Sequence, residues 1–160
     1  MEFEVWLAEY GYAALFLAFC LGIVGLPIPN EVVVMSGGAA TAEGTLLPFP
    51  AFLMAYAGIC CGLTVGFVVG RFIGLPILRR IGRGPKFERY VTRSQLLIDK
   101  YGSAALLFTY FLPVVRNVMP YVVGANGMNY RTFALYAYSG AFVWTLLFFL
   151  VGRYTGVQLQ

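Results

Sequence analysis

Two long stretches of this chain contain no charged residue. Residues 46–70 (LLPFPAFLMAYAGICCGLTVGFVVG) and 132–152 (TFALYAYSGAFVWTLLFFLVG) are uninterrupted by Asp, Glu, Lys or Arg. A helix of about 20 apolar residues crosses the ~30 Å hydrocarbon core of a bilayer. The composition agrees, because only 11% of the chain is charged, against about 25% in a soluble domain. We therefore expect an all-α polytopic membrane protein whose single membrane domain covers 1–160.

The basic residues are concentrated in the middle of the chain. Eight of the eleven Lys and Arg residues lie between positions 71 and 100, and the first 70 residues contain none. Such an excess is typical of cytoplasmic connectors, so we expect 75–100 in the cytoplasm and both termini outside. A nucleic-acid partner is disfavoured, because no soluble domain carries these charges. Apolar residues at helical spacing predict an interfacial amphipathic helix in this connector: Phe87, Tyr90, Val91, Leu97, Ile98 and Tyr101.

Several classes of site are disfavoured by what the sequence lacks. The chain has no histidine, which removes the commonest general base and metal ligand. Cys20, Cys60 and Cys61 lie in apolar runs and are expected to pack as small apolar residues. We expect no catalytic residue, metal or cofactor. The N-terminus lacks the basic segment and cleavage site of a removed signal peptide.

Two further apolar stretches, 10–42 and 101–130, are interrupted by prolines, polar residues and glycines. Proline removes a helical hydrogen bond and disfavours helix at the preceding residue. Irregular backbone at membrane depth is tolerated only where it lines a cavity or is buried in protein. Each stretch therefore predicts a re-entrant hairpin of two short helices. For the first stretch, a full span over 11–27 followed by a half-helix is the alternative. The interruptions are Pro27, Pro29, Asn30, Glu31, Gly37 and Gly38, then Pro113, Arg116, Asn117, Pro120, Gly124, Asn126, Gly127 and Asn129.

The two halves of the chain resemble each other. YGYAAL (10–15) matches YGSAAL (101–106), and GRFIG (70–74) matches GRYTG (152–156). A hairpin plus one span crosses the membrane once, so the second half would enter from the opposite face. We expect inverted repeats over about 10–74 and 101–156, joined by the amphipathic connector. Broken helices at corresponding positions of such repeats point to a transport site near the bilayer midplane.

Glu31 and Arg116 are the acid and the base expected deep in the membrane. A charge there costs about 2.5–3.5 kcal/mol on insertion scales, so both should face a shared wet chamber. Arg116 and helix N-terminal amides could then bind a phosphate. In the alternative, the two residues pair only to fix the hairpins. The candidate site also includes Pro29, Asn30, Tyr110, Pro113, Asn117, Pro120 and Gly124, of which the asparagines either line the cavity or cap helices.

The sequence resembles the DedA family, also called SNARE-associated or VTT-domain membrane proteins. FTYFLPVVRNVMP (108–120), followed by Gly124, Phe133 and Trp144, is similar to the family signature F-x-R-F-x-P-x-x-R-x-x-x-P and the residues after it. PIPNE (27–31) resembles the P-G-E/D segment, and GFVVGRFIG (66–74) resembles G-Y-x-x-G-R-x-x-G. The resemblance covers nearly the whole chain in order.

The resemblance implies lipid transport in the bacterial inner membrane through two facing re-entrant hairpins. Undecaprenyl phosphate and phosphatidylethanolamine are among the family's substrates. Many members carry an acid where this chain has the neighbourhood of Cys20, and an arginine where it has Tyr110. These departures make the chain more similar to the phosphatidylethanolamine subgroup, since a zwitterionic head group suits one acid and one base.

The sequence therefore predicts a phospholipid translocase, either a flippase or a scramblase. Arg116 would bind the lipid phosphate, and Glu31 would bind a head-group amine or carry a proton. Undecaprenyl phosphate recycling, with proton coupling, is the alternative substrate hypothesis. A non-transporting assembly factor is a further alternative. An intramembrane enzyme is disfavoured because no histidine or paired aspartate lies in the spans. Direction, coupling and a homo-oligomeric state are left open.

Overall fold

The computed structural model describes residues 2–24, 30–82 and 84–158, with the side chains of 9–21, 30–80, 82 and 84–158. The backbone of these residues forms helices and turns and contains no strand, so the all-α prediction is confirmed. The helices are α1 (Glu2–Val24), α2 (Asn30–Ala42), α3 (Pro48–Ile73), α4 (Leu75–Ile81), α5 (Pro85–Tyr101), α6 (Ala105–Thr109), α7 (Val115–Ala125) and α8 (Tyr130–Gln158), with a 3-10 turn at Gly102–Ala104.

The two charge-free stretches form the two long helices α3 and α8. They contain 26 and 29 residues, which at 1.5 Å per residue gives about 39 and 44 Å. Both are long and apolar enough to cross a membrane. Helix α3 begins at Pro48, where a proline costs little because first-turn N–H groups have no helical acceptor. The two predicted spans are therefore present as helices.

The interrupted stretches differ from each other in length. Helix α1 has 23 residues, about 34 Å, which is long enough for the full-span alternative. In the second stretch, the 3-10 turn and α6 together cover 102–109, about 12 Å or slightly more. Length alone does not distinguish a crossing from a helix that turns back. The re-entrant hairpins and their opposed orientation therefore stay predictions.

Several residues expected to interrupt helices lie inside them. Gly37 and Gly38 are within α2, and α7 contains Asn117 and Pro120. The break of the second stretch is instead the turn 110–114. The prediction that Arg116 lies in the break is wrong, since Arg116 is in the first turn of α7. Pro27 and Pro29 lie outside the described residues.

The first of two compact units contains Met1–Gly62 and Phe142–Gln160. Small residues let its helices approach closely. A Cβ on Gly58 of α3 would lie 2.6 Å from the carbonyl oxygen of Phe16 in α1. The ring of Phe52 meets the ring of Phe149 in α8 edge to face, with centroids 5.6 Å apart. Close backbone contact and aromatic packing thus hold α1, α3 and α8 together in this unit.

The second compact unit is Leu63–Ala141. Its core joins Leu78 of α4 and Val91 of α5 to Val118 and Val122 of α7. The connector is the amphipathic helix that the sequence predicts, but its apolar face packs on α7. A hydrogen bond of 2.7 Å from Asn126 to Gln95 also ties α5 to the end of α7.

The two units repeat one packing arrangement residue by residue. In the first unit the short helix α2 lies against α8, and in the second unit the short helix α7 lies against α3. Each contact has one glycine from each helix, Gly38 with Gly152 and Gly124 with Gly70. Gly38 and Gly124 are 86 positions apart in the sequence. The residues that they meet in the long helices, Phe149 and Phe67, are 82 positions apart. The matching segments GRFIG (70–74) and GRYTG (152–156) are also 82 positions apart, and the inverted orientation of the repeats stays a prediction. A Cβ on Gly38 would meet Phe149 and Arg153, and one on Gly124 would meet Phe67 and Arg71.

Candidate functional site

Arg116 is buried at the start of α7, directly after the turn 110–114. Only 7% of its surface is exposed. The turn before it is apolar and exposed at Phe111, Leu112, Pro113 and Val114. A lipid-compatible turn therefore leads directly into a buried cation.

Backbone amides at the start of α7 are already engaged. The N–H of Arg116 donates to the carbonyl of Leu112 at 3.1 Å, and that of Asn117 donates to the carbonyl of Val114 at 3.2 Å. These two N–H groups are thus not free for an anion, contrary to the expectation of a backbone phosphate cradle. An anion bound at this position would have to be held by the guanidinium.

The position of Arg116 does not favour the helix that carries it. The N-terminus of a helix carries partial positive charge, and a cation there is unfavourable by about 0.3–1 kcal/mol at the surface. Burying a charge adds a desolvation cost. Helix stability therefore does not account for an arginine at this point.

Pro120 and Gly124 hold α7 in place. A Cβ on Gly66 of α3 would lie 3.1 Å from the Cβ of Pro120, and one on Gly124 would fall on the carbonyl oxygen of Phe67. Pro120 has no N–H, so it cannot bond the carbonyl of Arg116 as a helical residue would. Both predicted site residues pack against α3 and position α7.

The first turn of α2 carries Asn30 and Glu31. Asn30 is only 4% exposed, and its Oδ1 accepts no hydrogen bond from the described part of the protein. Glu31 is half-buried, and a carboxylate in a first helical turn is favourable to the helix. A buried, unsatisfied carbonyl oxygen is costly, so Asn30 requires a donor. Pro29 lies outside the described residues.

The repeated packing makes Asn30 equivalent to Arg116 and Glu31 equivalent to Asn117, each pair 86 positions apart. Asn30 and Arg116 are both buried, and Glu31 and Asn117 are both half-buried. Each short helix therefore begins with one amide and one charged side chain, in opposite order. Glu31 and Arg116 belong to different units, so the shared wet chamber stays a prediction.

Tyr110 is buried at the end of α6, with 5% of its surface exposed. A Cβ on Gly140 of α8 would lie 3.5 Å from the Cβ of Tyr110, so the tyrosine lies where α6 meets α8. A row of hydroxyl groups in the same unit was not predicted from the sequence. Tyr138 is hydrogen-bonded both to Tyr130, at 2.7 Å, and to Thr64. The sequence feature that could have indicated this row is Thr64, a single threonine in the charge-free run of α3.

The cysteines and acids assemble no metal site among the residues that the structure describes, where no group of three or more His, Cys, Asp or Glu could hold an ion. Cys20 and Cys61 contact each other, with their Sγ atoms 3.4 Å apart. All three cysteines are free thiols. They pack within the apolar helices of the first unit.

Comparisons with known proteins identify the family. Residues 28–154 match the model of the VTT domain. The uncharacterized membrane protein YbfM of Bacillus subtilis is 36% identical over 94% of both chains. Protein DedA of Escherichia coli is 32% identical, over 93% of this chain and 72% of its own. Undecaprenyl phosphate transporter A of Bacillus subtilis is 27% identical, over 98% of this chain and 78% of its own.

No solved structure matches this chain. The domain model covers well over half of the chain, and the relatives align along nearly all of it. This chain is therefore a membrane protein of the VTT-domain, or DedA, family.

Proposed function

We propose that this protein moves a phosphate-bearing phospholipid, phosphatidylethanolamine, between the leaflets of the bacterial inner membrane. Arg116 binds the lipid phosphate during transfer. Glu31 and Asn30 bind the ammonium group of a lipid head group. The single observation that carries the proposal is the burial of Arg116 in the first turn of α7, where the helix itself gains nothing from a cation.

The chemistry of arginine supports a phosphate ligand. A guanidinium is planar and remains charged at physiological pH, and it can bind two phosphate oxygens at once. Because the neighbouring amides of Arg116 and Asn117 already donate to carbonyls, the guanidinium is the group through which this site selects an anion.

The first turn of α2 supports an ammonium ligand. The Asn30 side chain offers a buried oxygen that needs a donor, and Glu31 adds a carboxylate beside it. An ammonium group supplies three N–H donors and a positive charge. A polyprenyl phosphate has no donor of this kind, so these two residues favour the zwitterionic lipid.

A groove between α1 and α2 supports passage of an acyl chain. It has a volume of about 330 Å³ and is lined by small and apolar residues, among them Gly11, Ala14, Val32 and Gly37. Val32 directly follows Glu31 in α2. An acyl chain in this groove would leave its head group at the first turn of α2.

Undecaprenyl phosphate is the second candidate substrate. Relatives from Bacillus subtilis and Staphylococcus aureus bear the name undecaprenyl phosphate transporter A. In that case Arg116 would keep its phosphate role, and Glu31 would carry a proton.

Transport of labelled lipids in proteoliposomes separates the two candidates. We expect wild-type protein to move phosphatidylethanolamine faster than a labelled polyprenyl phosphate, and Glu31→Ala to slow phosphatidylethanolamine by about 10-fold or more, the effect of losing one charge-assisted hydrogen bond. Glu43→Ala, on an exposed residue after α2, is the matched control.

Faster movement of the polyprenyl phosphate would make undecaprenyl phosphate, and not phosphatidylethanolamine, the favoured substrate. If neither lipid moves faster than in protein-free vesicles, the transport proposal is wrong. An assembly role would then remain, for which both Glu31→Ala and Arg116→Ala should be tolerated.

A further inference from the structure

The side of α5 that faces away from α7 forms a shallow groove, open to its surroundings, of about 610 Å³. The buried residues of α5 are Val91 and Ser94, and the apolar cluster on α7 occupies that side. On a helix of 3.6 residues per turn, the groove residues lie on the opposite side. They are Pro85, Glu88, Arg89, Thr92, Arg93 and Leu96.

Arg89 and Arg93 are the main charged features of this groove. Both are exposed, and they are four positions apart, so they are neighbours on one face of the helix. Like charges at this spacing destabilise a helix, and an anion between them would reverse that effect. Glu88 is the one acid among the groove residues, so the groove keeps a net positive charge.

Exposed apolar side chains occur with these arginines in the same unit. Leu96, within the groove, is 62% exposed, and Phe72 at the end of α3 is 86% exposed. Ile77 of α4 is also exposed. Large apolar groups together with arginines suit the boundary between head groups and acyl chains, where the apolar part is buried in lipid and the cation meets phosphate. A soluble anion would make no use of the apolar groups.

We infer that this groove binds the phosphate of an anionic phospholipid of the surrounding membrane, with Arg89 and Arg93 as its ligands and Thr92 as a hydroxyl donor. The bound lipid is a resident of the surface of α5. It is distinct from the transported lipid proposed above, because the groove lies on the side of α5 opposite to α7, which carries Arg116. The inference does not depend on the transport proposal.

Native mass spectrometry of the purified full-length protein, titrated with phosphatidylglycerol in detergent, tests the inference. We expect the double variant R89Q/R93Q to bind phosphatidylglycerol about 10- to 30-fold more weakly, since each basic residue at an anionic surface contributes roughly fivefold. Phosphatidylcholine should bind weakly to both proteins. The matched control K100Q/R131Q removes the same charge at exposed residues outside the groove and should keep wild-type affinity.

Equal affinity of R89Q/R93Q and wild type would overturn the inference, and so would an equal loss in K100Q/R131Q. Displacement of phosphatidylglycerol by millimolar inorganic phosphate would overturn the lipid assignment in favour of a soluble anion. Should the double variant fail to fold, R89K/R93K keeps the charge but loses the bidentate geometry. It is expected to retain lipid binding at an affinity reduced severalfold, and wild-type affinity would contradict the proposed role of the guanidinium groups.

Discussion

Asn30 is the residue through which the proposed site would recognise a head-group N–H. Its buried Oδ1 needs a donor, which the ammonium of phosphatidylethanolamine has and the trimethylammonium of phosphatidylcholine lacks. We expect the transport rate of phosphatidylethanolamine divided by that of phosphatidylcholine to fall by about 10-fold in Asn30→Leu, because one hydrogen bond to a charged group is lost. A ratio of rates in proteoliposomes is insensitive to the amount of folded protein. An unchanged ratio would remove Asn30 from the site.

Gly124 is required by the contact between α7 and α3. A Cβ at this position would fall on the carbonyl oxygen of Phe67, so Gly124→Ala should destabilise the protein by about 1–3 kcal/mol, the usual cost of overpacking. The measurement is thermal unfolding of the detergent-solubilised protein. Gly140→Ala is the matched control, because its nearest neighbour, the Cα of Leu107, would lie 3.4 Å away. Equal stability of the two variants would contradict this packing.

At the residue scale, the sequence identifies the candidate side chains but not their positions in the structure. Arg116, Asn30 and Glu31 are recognisable as polar residues near prolines in apolar stretches. Their burial and register are not, because both depend on how α2 and α7 pack on the long helices. The packing makes Asn30, and not Glu31, the residue equivalent to Arg116. The spacing between short and long helices differs in the two halves, which obscures that register.

The long helices are the elements that sequence predicts best, since a charge-free run of 20 or more residues in a bilayer has few alternatives to a helix. The position of the second break was harder to predict. Pro120 sits inside α7, where it loses one helical hydrogen bond, and its packing at Gly66 of α3 offsets this loss. Tertiary packing often overrides local propensity in this way.

The packing of α1 on α3 can be tested through the contact between Cys20 and Cys61. Their Sγ atoms are 3.4 Å apart, so a copper(II) phenanthroline oxidant should remove two electrons and release two protons as it joins them. Peptide mass mapping under non-reducing conditions should detect the cross-link in wild type and in Cys60→Ser, and not in Cys61→Ser. Cross-linking of Cys20 to Cys60 alone would contradict the orientation of α3 in this unit.

At the scale of the whole molecule, the chain uses one packing solution twice. Each unit places a short helix on a glycine pair of a long helix, and each short helix begins with an amide and a charged residue. A repeated arrangement of this kind gives a membrane transporter two comparable elements, one in each half. The opposed orientation of the halves and the shared chamber are the parts of this account that remain predictions.

The most direct test of the central claim is the transbilayer movement of labelled phosphatidylethanolamine by purified protein in proteoliposomes. Arg116→Ala should lower the rate by about 10- to 100-fold, the value of a charge-assisted bidentate contact. Arg131→Ala, at an exposed arginine near the start of α8, should retain the wild-type rate. A folded Arg116→Ala variant that moves the lipid as fast as wild type would contradict the account.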